Sequence, residues 1–196
     1  MTVLNSPPKT LHVSPLGPTL ETERLILRPP IAEDFEGFCN FFADEATMKL
    51  IGGTVTPPVV WRQMRMVAGQ WALDGFGMFC ALEKATGEMI GRVGPQYPMG
   101  WPGREVGWGF LSKSWGKGYA LEAAIVCMDY AFDVLGWDAA NHVIDAGNAA
   151  SIKLATKLGS TNGGPCLLPD PIGPGDRDLW GQTREAWSTN RERFLS

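Results

Sequence analysis

A glycine-containing loop that precedes a long helix-like segment is the part of this sequence best suited to chemistry. Residues 105–124 read EVGWGFLSKSWGKGYALEAA, with Gly116 and Gly118 just before the helix. Backbone N–H groups in such a loop, together with the positive end of the helix dipole, can hold a pyrophosphate, and glycine lets the backbone approach without a Cβ in the way. Lys113 and Lys117 add positive charge nearby. The pattern therefore predicts an anion site.

The loop follows neither of the two common nucleotide-binding patterns. Gly116-Lys117-Gly118 has no Ser or Thr after the lysine and lacks the earlier glycine of a Walker loop, and it is not the GxGxxG of a Rossmann domain. These patterns disfavour an unrelated nucleotide phosphate-binding domain. Glycines before a helix also serve turns and caps, so a merely structural role is the alternative for the loop alone.

The elements around this loop indicate an α+β or mixed α/β domain, because strands and helices follow one another in mixed order. Lys84-Ala85-Thr86-Gly87 predicts the turn of an antiparallel hairpin, with glycine where positive φ is needed. Strands are predicted at residues 25–28, 78–83, 89–93, 105–111, 143–144 and 179–183, and helices at residues 32–42, 57–75, 119–135, 149–158 and 184–195.

Length, composition and charge limit the class of protein. The 196 residues are 44% hydrophobic and 19% charged, which suits one domain at residues 20–196 after a proline-containing flexible leader at residues 1–19. A net charge of -4 argues against a nucleic-acid partner, and no stretch approaches the ~20 apolar residues that span a bilayer. The scattered cysteines show no zinc spacing or disulfide framework, so we expect no metal and a cytoplasmic location.

Four stretches match a known family in order: residues 20–29 (LETERLILRP), 86–94 (TGEMIGRVG), 105–124, and 148–159 (NAASIKLATKLG). They resemble the GNAT superfamily of N-acetyltransferases, and specifically its ribosomal-protein-alanine acetyltransferase-like branch. The resemblance implies a GNAT fold, whose central mixed, largely antiparallel twisted sheet of about seven strands is flanked by helices. It also implies acetyl-CoA as cosubstrate and a primary amine as acceptor, either a protein N-terminus or a small molecule.

The resemblance further implies where coenzyme A would bind. The family's Q/R-x-x-G-x-G/A loop falls on residues 113–118, with lysine in place of the usual Gln or Arg at the first position. The strand at residues 105–111 is expected to splay from the next strand, which leaves backbone groups for the pantetheine arm and an N–H near Phe110 for the oxyanion. The expected coenzyme-binding residues are Phe110, Leu111, Lys113, Trp115, Gly116, Lys117, Gly118, Tyr119, Ala120, Asn148 and Ser151.

The expected catalytic residues are Glu105 and Ser151. Glu105 aligns with the acidic residue that acts as general base in many members, while a solvated strand-end glutamate is the alternative. The tyrosine that many members use as acid is replaced by Ala155, which leaves Ser151, Tyr119 or water. Asn148 matches the asparagine of the family's N-x-x-S, and it also suits a helix N-cap.

The acceptor side is less defined by the sequence. The family places the acceptor among the two helices after the first strand and the late loops, so residues 163–178 are expected to rim the site. Most aromatic residues of those helices are expected to be core. A catalytically degenerate domain that binds acyl-CoA as a sensor or subunit is the alternative function, and the resemblance leaves a homodimer open.

Overall fold

A computed structural model of the protein describes residues 14–49, 51–170 and 172–194. Its strands form one eight-stranded sheet in the order β1-β2-β3-β4-β5-β6-β8-β7. Every neighbouring pair is antiparallel except β5 and β6, which are parallel. The strands are β1 (Leu20–Glu21), β2 (Leu25–Arg28), β3 (Phe79–Glu83), β4 (Met89–Gln96), β5 (Glu105–Phe110), β6 (Ala139–Asp145), β7 (Thr161–Pro165) and β8 (Arg177–Thr183). The mixed, largely antiparallel sheet is confirmed, with eight strands instead of about seven.

The helices of the described residues flank this sheet. They are α1 (Phe35–Ala43), α2 (Glu45–Met48), α3 (Pro57–Asp74), α4 (Tyr119–Asp129), α5 (Ala149–Leu158) and α6 (Arg184–Arg191). Prolines open α3, and Gly75 ends it with a φ of 75°, so the predicted bounds hold. The long predicted helix after the glycine loop is α4 followed by a single π-helical segment, Tyr130–Val134.

Alternate residues of the central strands pack into two buried clusters on opposite faces of the sheet. Phe79 and Ala81 of β3 belong to the cluster that α4 covers, whereas Cys80 and Leu82 belong to the cluster that α1 covers. Helix α3 contributes side chains to both clusters. Apolar burial on the two faces therefore fixes which side chains of β4 and β5 point toward α1.

Three short elements were not predicted from the sequence: β1, α2 and β7. Strand β7 is mostly exposed and contains Gly163 and Gly164, which have low β-propensity, so it depends on pairing with β8. The last helix was expected to be polar, but α6 buries Trp187 against Phe132.

The predicted leader is described only from Ser14 onward, and residues 1–13 lie outside the described residues. Ser14 is buried and forms a bridge with Gly17, and Leu16 packs against the cluster under α4. The described end of this segment thus lies against the domain. No helix within the described ranges has both the length and the apolar character to cross a membrane.

Candidate active site

Strands β5 and β6 diverge after a single pair, Glu105 with Asn141. Strand β5 stays paired with β4 along its whole length. The Leu111 N–H donates to Ile90 O at 2.8 Å, and the alternation of antiparallel pairs then turns the backbone groups of every second residue of β5 away from β4. The backbone N–H and C=O groups of Val106 and Trp108 and the Phe110 N–H therefore face the gap between β5 and β6, and the expected splay is present. Phe110 O accepts from Thr47 Oγ1 at 3.0 Å and from Trp115 Nε1 at 2.7 Å.

Where β5 and β6 begin to diverge, two side chains replace the backbone hydrogen bonds that would otherwise join the strands. The Val143 N–H donates to Glu105 Oε1 at 3.1 Å, and the His142 ring contacts Val106 O through Nδ1 at 2.7 Å. A carbonyl only accepts, so Nδ1 carries the proton and Nε2 accepts from the Ser160 hydroxyl at 3.0 Å. Burial lowers the pKa of His142 to about 4. The ring is therefore a neutral spacer that holds the two strands apart.

Glu105 is 5% exposed, so it is not the solvated glutamate of the alternative interpretation. Burial raises its pKa, although hydrogen bonds from Trp101, Val143 and Gln96 oppose that rise. Oε2 accepts from the Trp101 indole N–H and from Gln96 Nε2, whereas Oε1 accepts only from Val143. A Cβ placed on Gly107 would lie 3.4 Å from Oε1, so the glycine keeps space open beside the less occupied oxygen. Oε1 is thus placed to take a proton.

A cavity of about 700 Å³ brings Glu105, Asn148 and Ser151 together. Asn148 Oδ1 accepts from the Ser151 N–H at 3.0 Å, so Asn148 is the N-cap of α5, one of its two expected uses. Ser151 Oγ accepts from the Trp108 indole N–H at 3.2 Å. No described residue accepts from the Ser151 hydroxyl, so its proton remains available to a bound substrate.

Residues of α1, α2, α3 and the late loop also line the cavity. Phe42 and Met48 line it from the helices, and Leu168, Pro169 and Ile172 line it from the loop. The loop at residues 163–178 therefore borders the cavity, as the sequence analysis expected. Phe38, Phe41 and Trp71 are buried in the core, which was the expected place for most aromatic residues of α1 and α3.

The glycine loop follows β5 directly and ends at the start of α4. Leu111 leads into one short 3-10 turn, Ser112–Ser114. Gly116 and Gly118 have φ values of 74° and 84°, which disfavour any other residue. Gly118 is the N-cap of α4 and offers no side-chain acceptor, so the first N–H groups of the helix are free to meet an anion.

Arg24 of the LETERL segment supports this loop from the opposite side, a role that sequence reasoning did not find. Its Nη1 donates to Lys117 O at 2.9 Å, and its Nε donates to Glu122 Oε2 at 2.7 Å. The guanidinium also stacks on the Tyr119 ring, 4.5 Å from the centroid. An arginine just before a β-strand gives no local signal of this contact, because Lys117 and Glu122 are distant in sequence.

The remaining expected coenzyme residues lie around this loop, but not all of them face the cavity. Lys113 is exposed and paired with Glu88 at 2.5 Å. The Tyr119 hydroxyl donates to Glu83, and Tyr119 does not line the cavity that holds Glu105. Phe110 and Leu111 are buried, Trp115 is 53% exposed, and Lys117 and Ala120 lie beside the two glycines. Within the described part of the chain, no cluster of His, Cys, Asp or Glu side chains suits a metal ion.

Comparison with known proteins agrees with this geometry. A model of the acetyltransferase (GNAT) domain family matches residues 24–161. The chain is 33% identical over 143 residues to the uncharacterized N-acetyltransferase p20 of Bacillus licheniformis, covering 71% of this chain and 80% of p20. It is 40% identical over 87 residues to the uncharacterized protein YkkB of Bacillus subtilis, covering 43% of this chain and 51% of YkkB. This chain thus spans about half the length of YkkB.

Solved structures show the same fold. An acetyltransferase from Agrobacterium tumefaciens superposes with a TM-score of 0.72 at 29% identity, covering 85% of this chain and 95% of that one. The ribosomal-protein-S5-alanine acetyltransferase from Vibrio fischeri superposes with a TM-score of 0.70 at 19% identity, covering 86% and 98%, and this likeness concerns the fold alone. The family uses acetyl-CoA as cosubstrate. On its family match and on its relatives, the chain belongs to the GNAT acetyltransferases and is an acetyltransferase enzyme.

Proposed function

We propose that this enzyme transfers the acetyl group of acetyl-CoA directly to a primary amine, on a protein N-terminus or on a small molecule. The observation that carries the proposal is the buried Glu105 carboxylate, whose Oε1 is open beside Gly107 in the same cavity as Ser151. A primary amine is the acceptor that such a base suits, because an ammonium group must lose a proton before its nitrogen can attack.

The described residues fit coenzyme A in two places. The free N–H groups at the start of α4, between Gly118 and Ala120, suit the pyrophosphate, and Lys117 adds positive charge. The Trp108 N–H and C=O and the Phe110 N–H, which face the β5–β6 gap, suit the amides of the pantetheine arm. Lys113 would have to exchange its bond with Glu88 for one with the coenzyme.

The proposed reaction uses residues that line or border the gap. Glu105 Oε1 takes a proton from the amine, directly or through water, and the amine nitrogen then attacks the thioester carbon. The Phe110 N–H donates to the oxygen on which negative charge develops. When the carbon–sulfur bond breaks, the departing thiolate receives a proton from the Ser151 hydroxyl or from water, and the surplus proton of the new amide nitrogen returns to that oxygen, so the amide, the thiol and the hydroxyl all end neutral. The Trp108 N–H bonded to Ser151 Oγ supports the charge that this oxygen carries between the two proton transfers.

Three further expectations belong to the same proposal: a single domain at residues 20–196, a cytoplasmic location and no nucleic-acid partner. The sheet joins strands β1 to β8, and the buried cluster that α4 covers includes residues from β2 to α6, which supports one domain. The sequence pI of about 5.2 supports the absence of nucleic acid. A homodimer remains an open alternative to a monomer.

The proposal is tested by identifying the product. The purified protein is incubated with acetyl-CoA and a panel of small primary amines and short peptides, and mass spectrometry follows the mass of each amine while a thiol reagent follows free coenzyme A. We expect acetylated amine and free thiol to rise together in equal amounts. Thiol released without any acetylated amine would show that the protein only hydrolyses acetyl-CoA. No rise in thiol or in acetylated amine would favour the alternative of a sensor that binds acyl-CoA without catalysis.

A further inference from the structure

Arg92 lies in the wall of the active-site cavity, and no described carboxylate forms a direct ion pair with it. Its guanidinium stacks on Phe41 and Phe42, 5.4 and 5.3 Å from the ring centroids. Among the described residues, no carboxylate or carbonyl accepts a hydrogen bond from it. Arg92 is half-buried, and an arginine that has lost part of its hydration is normally paired with an anion or hydrogen-bonded. The other arginine of the cavity wall, Arg177, already donates to Gly173 O.

Arg92 and Glu105 stand at opposite ends of one groove on the face of the sheet that α1 covers. Arg92 is paired with Gly109 across β4 and β5, and Gln96 is paired with Glu105, so all four share this face. Four residues of strand separate the two ends, which places their Cα atoms about 13 Å apart. Gly107 lies between them on β5 and has no side chain to block the floor of the groove. Both ends line the same cavity.

The environment of Arg92 favours an anion over neutral ligands. Phe42 contacts the guanidinium, and Met48 and Ile51 line the same cavity, so charge pairs there are screened less than in water. Burial lowers the pKa of Arg92, which reflects the partial loss of its hydration. Glu105 has the opposite charge and lies at the far end. A ligand with a cationic amine at one end and an anion at the other would complement both ends at once.

We propose that the acceptor is a primary amine that also carries a carboxylate, and that Arg92 binds this carboxylate while the amine lies at Glu105. Two parallel N–H···O bonds from the guanidinium would match a carboxylate better than any single polar atom. Arg92 is thus a specificity residue of the acceptor site. This inference rests on the proposed amine acetylation, since it assigns the class of amine.

The test compares amino acids with their neutral amides. Glycine, β-alanine, γ-aminobutyrate and ε-aminocaproate, which increase the distance between amine and carboxylate, are each assayed beside the corresponding primary amide. We expect at least one acid to exceed its amide in kcat/KM by about tenfold or more. In the Arg92→Met variant this ratio should fall close to one, and Arg92→Lys should retain part of it. Arg62→Met removes an exposed positive charge from α3 and should keep the full ratio.

A peptide pair separates the two sources of such an amine. Two peptides that differ only in Asp or Asn at the second position present the same carboxylate on a protein N-terminus. A preference confined to the peptides would assign the site to acidic N-termini, and a preference confined to free amino acids would assign it to small molecules.

A binding measurement keeps this inference distinct from the proposed function. Thermal unfolding of the protein saturated with coenzyme A is followed with each acid or amide added. Stabilisation by an acid, absent with its amide and lost in Arg92→Met, supports the anion site even if no amine is acetylated. Equal kinetics and equal binding for every acid and amide pair would overturn the inference while leaving amine acetylation intact.

Discussion

The two oxygens of the Glu105 carboxylate have different surroundings, and this difference defines its proposed role. Two side-chain donors hold Oε2, which fixes the orientation of the carboxylate. Oε1 has one backbone donor and borders the position that a Cβ on Gly107 would occupy. A buried carboxylate whose pKa is raised is a better base near neutral pH than a solvated one. The residue is therefore held in place by one oxygen and reactive through the other.

At this scale we predict that Gly107→Ala impairs catalysis. The added methyl would lie 3.4 Å from Glu105 Oε1 and 3.2 Å from Gln96 Nε2, where the amine must approach. We expect kcat/KM to fall about tenfold or more in steady-state assays, because the neighbouring groups must shift and the methyl group occupies the approach of the amine. Gly69→Ala, in an open position on α3, is the control and should not change the rate. An unaltered rate in Gly107→Ala would place the amine elsewhere.

His142 makes a separate prediction about stability and pH. The pKa of His142 is lowered to about 4 in the folded protein. Between about pH 4 and pH ~6.5, the unfolded chain therefore binds a proton that the folded protein does not bind. Between these values, falling pH should cost about 1.4 kcal/mol of unfolding free energy per pH unit. Urea unfolding at several pH values should show a smaller slope for His142→Gln, by one proton. Identical slopes would mean that the ring is already protonated in the native state.

At the scale of elements, the glycine loop and α4 form one anion-binding unit that Arg24 holds from behind. The positive φ of Gly116 and Gly118 turns the chain from β5 into the helix, and Gly118 leaves the helix start uncapped. Arg24 fixes the loop through Lys117 O and fixes α4 through Glu122. The loop is therefore shaped before the coenzyme binds, which reduces the entropy lost on binding.

Two matched glycine variants test this unit. Gly116 and Gly136 have φ values of 74° and 69°, and both have open space at the Cβ position. Each change to alanine should cost a similar amount of stability, about 1 kcal/mol. Only Gly116→Ala should weaken acetyl-CoA binding, by about tenfold in calorimetric titration, because its Cβ would crowd the phosphates. Equal affinities in the two variants would make the loop a turn with no part in binding.

The elements that could be predicted from the sequence are those with local signals. Helices α3 and α5 are bounded by proline or glycine and by clear apolar periodicity, so their limits were found. Strand β7 and helix α2 are short and depend on neighbours that are distant in sequence. The same contrast between local signals and long-range contacts decides which site residues could be predicted. Glu105 and the glycine loop lie in recognisable motifs, whereas the contacts of His142 and Arg24 are known only once the strands are paired.

At the scale of the whole molecule, the sheet is continuous except where its one parallel pair of strands, β5 and β6, diverges. Seven strand pairs form the sheet, and only β5 with β6 is reduced to one residue pair. The active-site cavity is bordered by α1 on one face of the sheet, and the glycine loop lies at the end of β5. Helix α6 follows β8 and packs Trp187 onto Phe132 of the π-helical segment after α4.

We therefore predict that Trp187→Ala destabilises the entire domain. The indole is 2% exposed, stacks between Phe132 and Phe194, and donates to Asp129 Oδ1. We expect a loss of about 3 kcal/mol or more in urea unfolding, in a single cooperative transition. The affinity for acetyl-CoA should be unchanged in the folded variant. Two separate transitions would show that α6 is not part of the same cooperative domain.

The most direct test of the central claim is the turnover of Glu105→Gln at saturating acetyl-CoA and amine. Glutamine keeps the size of the side chain and an oxygen for one donor, but it cannot take up the proton. We expect kcat to fall by about a hundredfold to ten-thousandfold while the dissociation constant of acetyl-CoA is unchanged. An unchanged kcat would contradict the account and remove Glu105 from the mechanism.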